Sequence, residues 1–261
     1  MQKHWIAIPL LALTLNGAVL AQTAEEKGLA ISTEMDQRDL GWGNEVSDST
    51  MVLRNAHGQE SVRENRMKAL EVPGDGDKTL VVFDSPRDIS GTAFLTFSHA
   101  NKADEQWMYL PALKRVKRIS SSNKSGPFLG SEFAYEDISS QEVDKYSYKY
   151  LRDEVVDEQD SYVVERYPQY KHSGYTRQIT WISKEIYQPV KIEFYDRKNA
   201  LLKTLTFSDY QQYLGKYWRA LVLDMVNHQT KKSTMLTRSN YQFQTGLKER
   251  DFDRNSLKRV R

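Results

Sequence analysis

The sequence predicts a mainly β protein of the α+β class, in which one helix precedes a long, curled sheet. Apolar and polar residues alternate over many short segments, turn residues separate these segments, and only Ala24–Leu40 has helical periodicity. A sheet with this many strands is expected to curl, because the twist of successive strands accumulates. The pattern leaves a sandwich, a barrel and an open curved sheet as alternatives.

The predicted helix ends at Gly41-Trp42-Gly43, because two glycines in three residues disfavour helix. One side of it carries an imperfect apolar stripe, which consists of Leu29, Ile31, Met35 and Leu40.

The strands are predicted from period-two alternation and from the turns between them. In chain order they are Thr50–Ala56, Ser61–Val72, Lys78–Asp84, Thr92–Ser98, Gln106–Leu110, Arg115–Ser120, Ser147–Leu151, Glu154–Val156, Ser161–Tyr167, Tyr175–Ile182, Val190–Tyr195, Leu201–Phe207, Tyr217–His228 and Lys232–Gln244. Ser120–Gly130, rich in Ser, Gly and Lys, is predicted to be a mobile loop, and Asp251–Arg261 a final helical turn or tail.

Composition excludes several classes of protein. The 261 residues include 37 Lys+Arg and 35 Asp+Glu, a net charge of +2, whereas nucleic-acid-binding proteins usually carry a strong basic excess. The absence of cysteine excludes disulfides, thiolate metal sites, cysteine nucleophiles and a lipid-modified N-terminal cysteine. Aromatic residues make up 11% of the chain, enough to build a core.

Residues 1–21 are predicted to be a cleaved secretory signal peptide. Lys3 precedes the apolar run Ile6–Leu15, and small or modest residues permit cleavage after Ala21. The run is shorter than the ~20 apolar residues of an ordinary membrane-spanning helix, although an uncleaved anchor is the alternative. Residues 22–261 are then expected to form one soluble domain outside the cytoplasm.

The sequence offers no convincing catalytic, metal or cofactor site. The histidines are widely spaced, and there is no nucleophile elbow, P-loop or dinucleotide-binding motif. Glu136 and Asp137 are candidate carboxylates for a secreted hydrolase. Adjacent residues on a strand point to opposite faces, so the favoured interpretation is a polar turn or a salt-bridge partner.

Four separate motifs, in order along the chain, resemble the outer-membrane lipoprotein-sorting protein family, whose members are periplasmic proteins similar to the lipoprotein carrier LolA. The motifs are Leu80–Pro86 (LVVFDSP), Gly91–Leu95 (GTAFL), Trp107–Val116 (WMYLPALKRV) with Arg118-Ile119, and Gly130–Asp137 (GSEFAYED). The resemblance implies a curved antiparallel sheet that forms an unclosed β-barrel of about eleven strands, with a helical lid over a hydrophobic cavity. It also implies carriage of acyl chains or another hydrophobic ligand, and an inner-membrane transporter of the resistance-nodulation-division type as partner.

We expect the side chains that line this cavity to come from the helix and from one face of the strands. The candidates are Leu29, Met35, Val82, Phe94, Trp107, Tyr109, Trp181, Ile192 and Phe194. A cargo-free interaction module of an envelope complex remains a further alternative.

A second candidate surface is a cluster of cations that we expect to bind a partner or anionic lipid headgroups. Its members are Lys114, Arg115, Lys117 and Arg118. The alternative is a solvated charged edge that prevents strand-to-strand aggregation. Contact with a membrane is expected to be peripheral or transient, and nucleic acid is not an expected partner.

Overall fold

The computed structural model describes residues 22–259; the predicted signal peptide lies outside the described residues. One α-helix, α1, covers Ala24–Arg38. Its start is fixed by a capping box, in which Thr23 Oγ1 accepts from the backbone N–H of Glu26 and the Glu26 carboxylate accepts from that of Thr23. The helix therefore begins where the sequence predicts and ends two residues earlier.

Thirteen strands follow α1. They are β1 (Asn44–Arg54), β2 (Glu60–Leu70), β3 (Lys78–Ser85), β4 (Ala93–Phe97), β5 (Glu105–Leu110), β6 (Arg115–Ile119), β7 (Tyr146–Val156), β8 (Gln159–Pro168), β9 (Tyr175–Ser183), β10 (Pro189–Asp196), β11 (Leu201–Tyr213), β12 (Tyr217–Asn227) and β13 (Lys232–Phe243).

All thirteen strands belong to one antiparallel sheet, in the order β6-β5-β4-β3-β2-β1-β13-β12-β11-β10-β9-β8-β7. Each half is a meander, and the halves join where β1 pairs with β13. The two edge strands, β6 and β7, do not pair with each other, so the sheet is an unclosed barrel as the resemblance implies. It has thirteen strands rather than about eleven.

The connection between the two edge strands, residues 120–145, packs on the concave face. Its aromatic side chains Phe128, Phe133 and Tyr135 are buried in the main core together with Phe83 and Phe94 from the sheet. Both ends of the connection are tied to Asp104, which lies 3.2 Å from Lys124 Nζ and 2.6 Å from Lys145 Nζ. Within the predicted mobile loop Ser120–Gly130, Lys124 and Phe128 are buried in the interior, whereas most of the other described side chains are exposed.

A second, smaller core lies on the convex face. Leu80, Leu95 and Trp107 pack there against Phe252 and Leu257 of the C-terminal tail. The tail forms two 3₁₀ segments, Glu249–Asp251 and Arg254–Arg259, in keeping with the predicted helical turn or tail. Both faces of β3–β5 are thus covered.

Candidate functional site

A cavity of about 770 Å³ lies between α1 and the concave face of the sheet. Pockets that hold small ligands usually have ~300–1,000 Å³. Its floor is apolar, because alternate residues of neighbouring strands turn large side chains to the same face. The floor side chains include Met51, Met67, Val81, Ile192, Phe194, Leu205, Phe207, Leu223 and Leu236.

The connection 120–145 forms one wall of the cavity. Phe128 and Phe133 both line it, and the ring of Phe128 packs edge-on against Phe94 with the centroids 4.9 Å apart. Phe94 lies beneath this wall on the concave face, fully buried. The aromatic side chains of the connection therefore fill one part of the interior and leave the remainder open.

The helix α1 forms another wall, next to Val143 at the end of the connection, and packs tightly on β7. A Cβ added at Gly28 would lie 2.7 Å from Tyr150 N and 2.9 Å from the backbone of Lys149, so only glycine permits this approach. Ile31 is buried against the sheet, and Met35 lines the cavity. Leu29 faces away, with 47% of its surface exposed.

Many of the residues that line the cavity are carboxylates. They come from α1, from β1 and the turn after β2, and from the connection, and they are Asp36, Asp39, Glu45, Glu71, Asp75, Asp77, Asp137, Glu142 and Asp144. Burial, reinforced by repulsion from Glu142, raises the pKa of Asp77 to about 7. Asp39 and Glu45 are paired instead, since Arg219 binds them at 2.7 Å and 2.9 Å.

The structure places three of the nine predicted cavity residues at the cavity itself. Met35, Ile192 and Phe194 line it, whereas Phe94 is on the correct face but under the connection. Leu29 is turned to solvent.

The other four predicted cavity residues are on the convex face, which corrects the predicted orientation of their strands. Val82, Trp107 and Tyr109 pack with the C-terminal tail, and Trp181 packs with Val163 and Val190. The physical reason is that a tail and neighbouring side chains cover the outer surface, so apolar residues occur on both faces of these strands.

The four predicted docking cations are exposed at the edge of the sheet. Arg115, Lys117 and Arg118 lie on the edge strand β6, whereas Lys114 precedes it in a left-handed turn with φ 48°. Arg118 pairs with Glu105 at 3.1 Å. The positions suit either a docking role or a protected edge.

The candidate catalytic carboxylates Glu136 and Asp137 hold the connection in place. Glu136 accepts hydrogen bonds from Tyr170, Ser173 and the backbone N–H of Gly174. Asp137 binds Lys203 at 2.7 Å. The two side chains therefore act as the salt-bridge and turn residues that the sequence favoured.

Sequence reasoning missed a polar group on the concave face, formed by Ser47, Ser49, Asn65 and Arg238. The available signal was that these residues alternate with outward-facing residues along their strands. Because they are polar, the same pattern is also expected of a strand that is exposed to water. Across residues 22–259, no group of three or more His, Asp or Glu side chains is arranged to hold a metal ion. Nor does this part of the chain contain a helix with the length and apolarity to cross a membrane.

The chain is similar to one family model and to several solved structures. A family model described only as "uncharacterized protein" matches residues 75–259. An outer membrane lipoprotein-sorting protein domain from Vibrio parahaemolyticus is 59% identical, with a TM-score of 0.88 over 90% of this chain and 99% of that one. No curated protein matches this chain.

Two further solved structures share the fold. A DUF1329 family protein from Desulfovibrio piger is 29% identical, with a TM-score of 0.86 over 90% of this chain and 99% of that one. A LolA superfamily protein from Nitrosomonas europaea is 20% identical, with a TM-score of 0.70 over 87% of this chain and 98% of that one. The chain belongs to the outer-membrane lipoprotein-sorting protein family and has a LolA-like fold.

Proposed function

We propose that this protein is a periplasmic carrier that binds acyl chains or another hydrophobic ligand and transfers it between partners of the cell envelope. The single observation that carries the proposal is the cavity of about 770 Å³ with an apolar floor, which the chain's own side chains leave open. The Vibrio parahaemolyticus relative is named for lipoprotein sorting, and the acyl chains of a lipoprotein or lipid suit such a floor.

Burial of a hydrocarbon chain supplies enough free energy for stable carriage. Each methylene removed from water contributes ~0.8 kcal/mol, so a chain of ~14 methylenes contributes roughly 11 kcal/mol before the costs of binding are subtracted. Release therefore requires a change that competes with this burial. The helix α1 is the proposed moving element, because it forms one wall and its Met35 lies at the cavity.

The proposed compartment and partner rest on the sequence. A cleaved signal peptide over residues 1–21 would deliver residues 22–261 to the periplasm as a single carrier domain. The resemblance points to a resistance-nodulation-division transporter of the inner membrane as partner. The exposed cations Arg115, Lys117 and Arg118 on the open edge offer a docking surface for it or for anionic headgroups.

The experiment that tests carriage is native mass spectrometry of the protein purified gently from its own envelope. We expect a co-purifying lipid or lipoprotein, and binding of acyl probes by the delipidated protein. Ala220→Trp fills the cavity from β12 and should abolish probe binding, whereas Val62→Trp, at an exposed position of β2, should not. Ligand-free protein that also fails to bind acyl probes would contradict the proposal.

A further inference from the structure

A row of polar side chains crosses the concave face on three adjacent strands. Ser49 of β1 lies opposite Asn65 of β2 on one side and opposite Arg238 of β13 on the other. All three line the cavity. Because neighbouring strands are about 4.8 Å apart, the two ends of the row, Asn65 and Arg238, are separated by roughly 10 Å.

Asn65 presents an unused hydrogen-bond donor. Ser49 Oγ donates to Asn65 Oδ1 at 2.5 Å, which fixes the orientation of the amide. Asn65 is 5% exposed, and its Nδ2 has no partner among the described residues.

Ser47 shows the same shortage of partners. It lies two residues from Ser49 on the same face, is 3% exposed, and its hydroxyl has no partner within residues 22–259. Buried polar groups in native proteins are nearly always paired. The two orphaned groups therefore point to a partner that the chain itself does not supply.

Arg238 adds a positive charge to this row. Its Nη1 donates to the hydroxyl of Tyr241 at 2.9 Å, and within the described part of the chain it makes no ion pair. Arg219 on the neighbouring strand differs, because Asp39 and Glu45 neutralise it.

We propose that Arg238 and Asn65 form a head-group subsite for an acidic amphiphile, whose carboxylate or phosphate they bind while its chain lies on the apolar floor. Guanidinium and amide N–H groups donate, and carboxylate or phosphate oxygens accept, so the two sets are complementary. The hydroxyl of Ser47 supplies a third donor. This inference rests on the proposed carrier function and specifies the chemical class of its cargo.

The positions of the other charges are compatible with this subsite. Most carboxylates that line the cavity belong to α1 and to the connecting segments. Glu45 on β1 is paired with Arg219, and Asp137 is paired with Lys203.

The competing cation is Arg166 of β8, which is buried and also lines the cavity. Its Nε donates to Gln178 at 2.6 Å, and the hydroxyl of Thr180, which also lines the cavity, has no partner within residues 22–259. Arg166 is therefore tested beside Arg238.

The test compares three ligands with one hydrocarbon chain: tetradecanoate, tetradecyl phosphate and 1-tetradecanol. Their affinities are measured by displacement of a neutral fluorescent probe. We expect the protein to prefer the acids, and Arg238→Gln to weaken acid binding by roughly 10- to 100-fold while leaving the alcohol unchanged. Asn65→Asp keeps the acceptor for Ser49 but replaces the donor with a charge, so it should act in the same direction.

Arg66→Gln is the matched control, because Arg66 is the outward neighbour of Asn65 on β2 and pairs with Asp84 at 2.8 Å. It should change none of the three affinities. The acid that binds more tightly identifies the head as carboxylate or phosphate, and either result supports the subsite.

Other outcomes overturn the subsite, and they are separable from failure of the carrier proposal. Equal affinity for acid and alcohol would remove the subsite but keep carriage. A loss of acid binding in Arg166→Gln, but not in Arg238→Gln, would assign the head to β8 instead. Competition by inorganic phosphate as effective as that by tetradecyl phosphate would reduce the site to a simple anion site. Failure of all three amphiphiles to bind would contradict carriage itself.

Discussion

The ammonium group of Lys203 on β11 lies 2.7 Å from Asp137 Oδ2, and both side chains are less than a tenth exposed. The same ammonium group donates to the carbonyl oxygen of Glu132 at 2.7 Å. Tyr175 OH donates to the other carboxylate oxygen of Asp137 at 2.9 Å. These bonds attach the 120–145 connection to the strands, so the wall of the cavity is held by polar contacts as well as by its aromatic side chains.

Lys203→Met is expected to lower the free energy of unfolding by about 3–5 kcal/mol, because it leaves the buried carboxylate of Asp137 without its counter-charge. Chemical denaturation measures the change. Lys232→Met, at an exposed position on β13, is the control and should stay within about 0.5 kcal/mol. Equal effects of the two substitutions would show that the buried ion pair does not hold the connection.

Gly28→Ala is expected to displace α1 from β7, because the new Cβ would lie 2.7 Å from Tyr150 N. The variant should have a lower Tm and a faster release of a bound acyl probe, measured by stopped-flow dilution. Leu29→Ala changes the neighbouring, exposed residue of the same helix and should leave the release rate unaltered. A rate that is unchanged in Gly28→Ala would argue against α1 as the moving wall.

Phe194 and Trp107 should give different results when each is replaced by alanine. Both are buried, so both variants should lose stability by about 3–5 kcal/mol. Only Phe194 lines the cavity, whereas Trp107 packs with the C-terminal tail on the convex face. Probe affinity, measured under conditions where both variants are folded, should therefore fall in Phe194→Ala alone. A fall in Trp107→Ala instead would show that the two faces are wrongly assigned.

Asp77 makes stability depend on pH. In the folded protein, burial and the neighbouring Glu142 raise the pKa of Asp77 to about 7 from its ordinary 3.8. Between these two values the folded state binds more protons than the unfolded state, so stability falls as the pH rises through this interval.

Asp77→Asn removes this dependence, since the amide oxygen can still accept from the N–H of Val72 but cannot ionise. At pH 8 we expect the variant to be more stable by up to about 4 kcal/mol, since each pKa unit by which the carboxyl is raised corresponds to about 1.4 kcal/mol. Near pH 4 the two proteins should agree. Asp157→Asn, in an exposed turn, is the control; a difference that does not vary with pH would contradict the assignment.

Most of the secondary structure could be predicted from local patterns. The observed start of the helix and the observed bounds of the strands from β2 to β6 lie within about two residues of the predicted ones, because capping, turn residues and alternation are local signals. The predicted break between Ser147–Leu151 and Glu154–Val156 is instead one strand, β7, with a register shift between Tyr150 and Arg152. A bulge interrupts alternation without ending a strand.

Two features could not be predicted because they depend on distant parts of the chain. The first half of β1 was missed, since its inward residues Glu45, Ser47 and Ser49 are polar and give no apolar alternation. The face of Trp107 that meets the tail and the face of Met108 that meets the concave core are equally apolar in sequence. Only the position of the C-terminal tail distinguishes them.

The order of the strands has a consequence for how the chain folds. Every hydrogen-bonded pair of strands consists of neighbours in sequence except β1 and β13. The two meanders can each form by local zippering, whereas the pairing of Arg54 in β1 with Ser233 in β13 has to close a loop of about two-thirds of the chain, which is slow. That same encounter sets Ser49 opposite Arg238, so we expect the last and slowest step of folding to be the one that assembles the polar row.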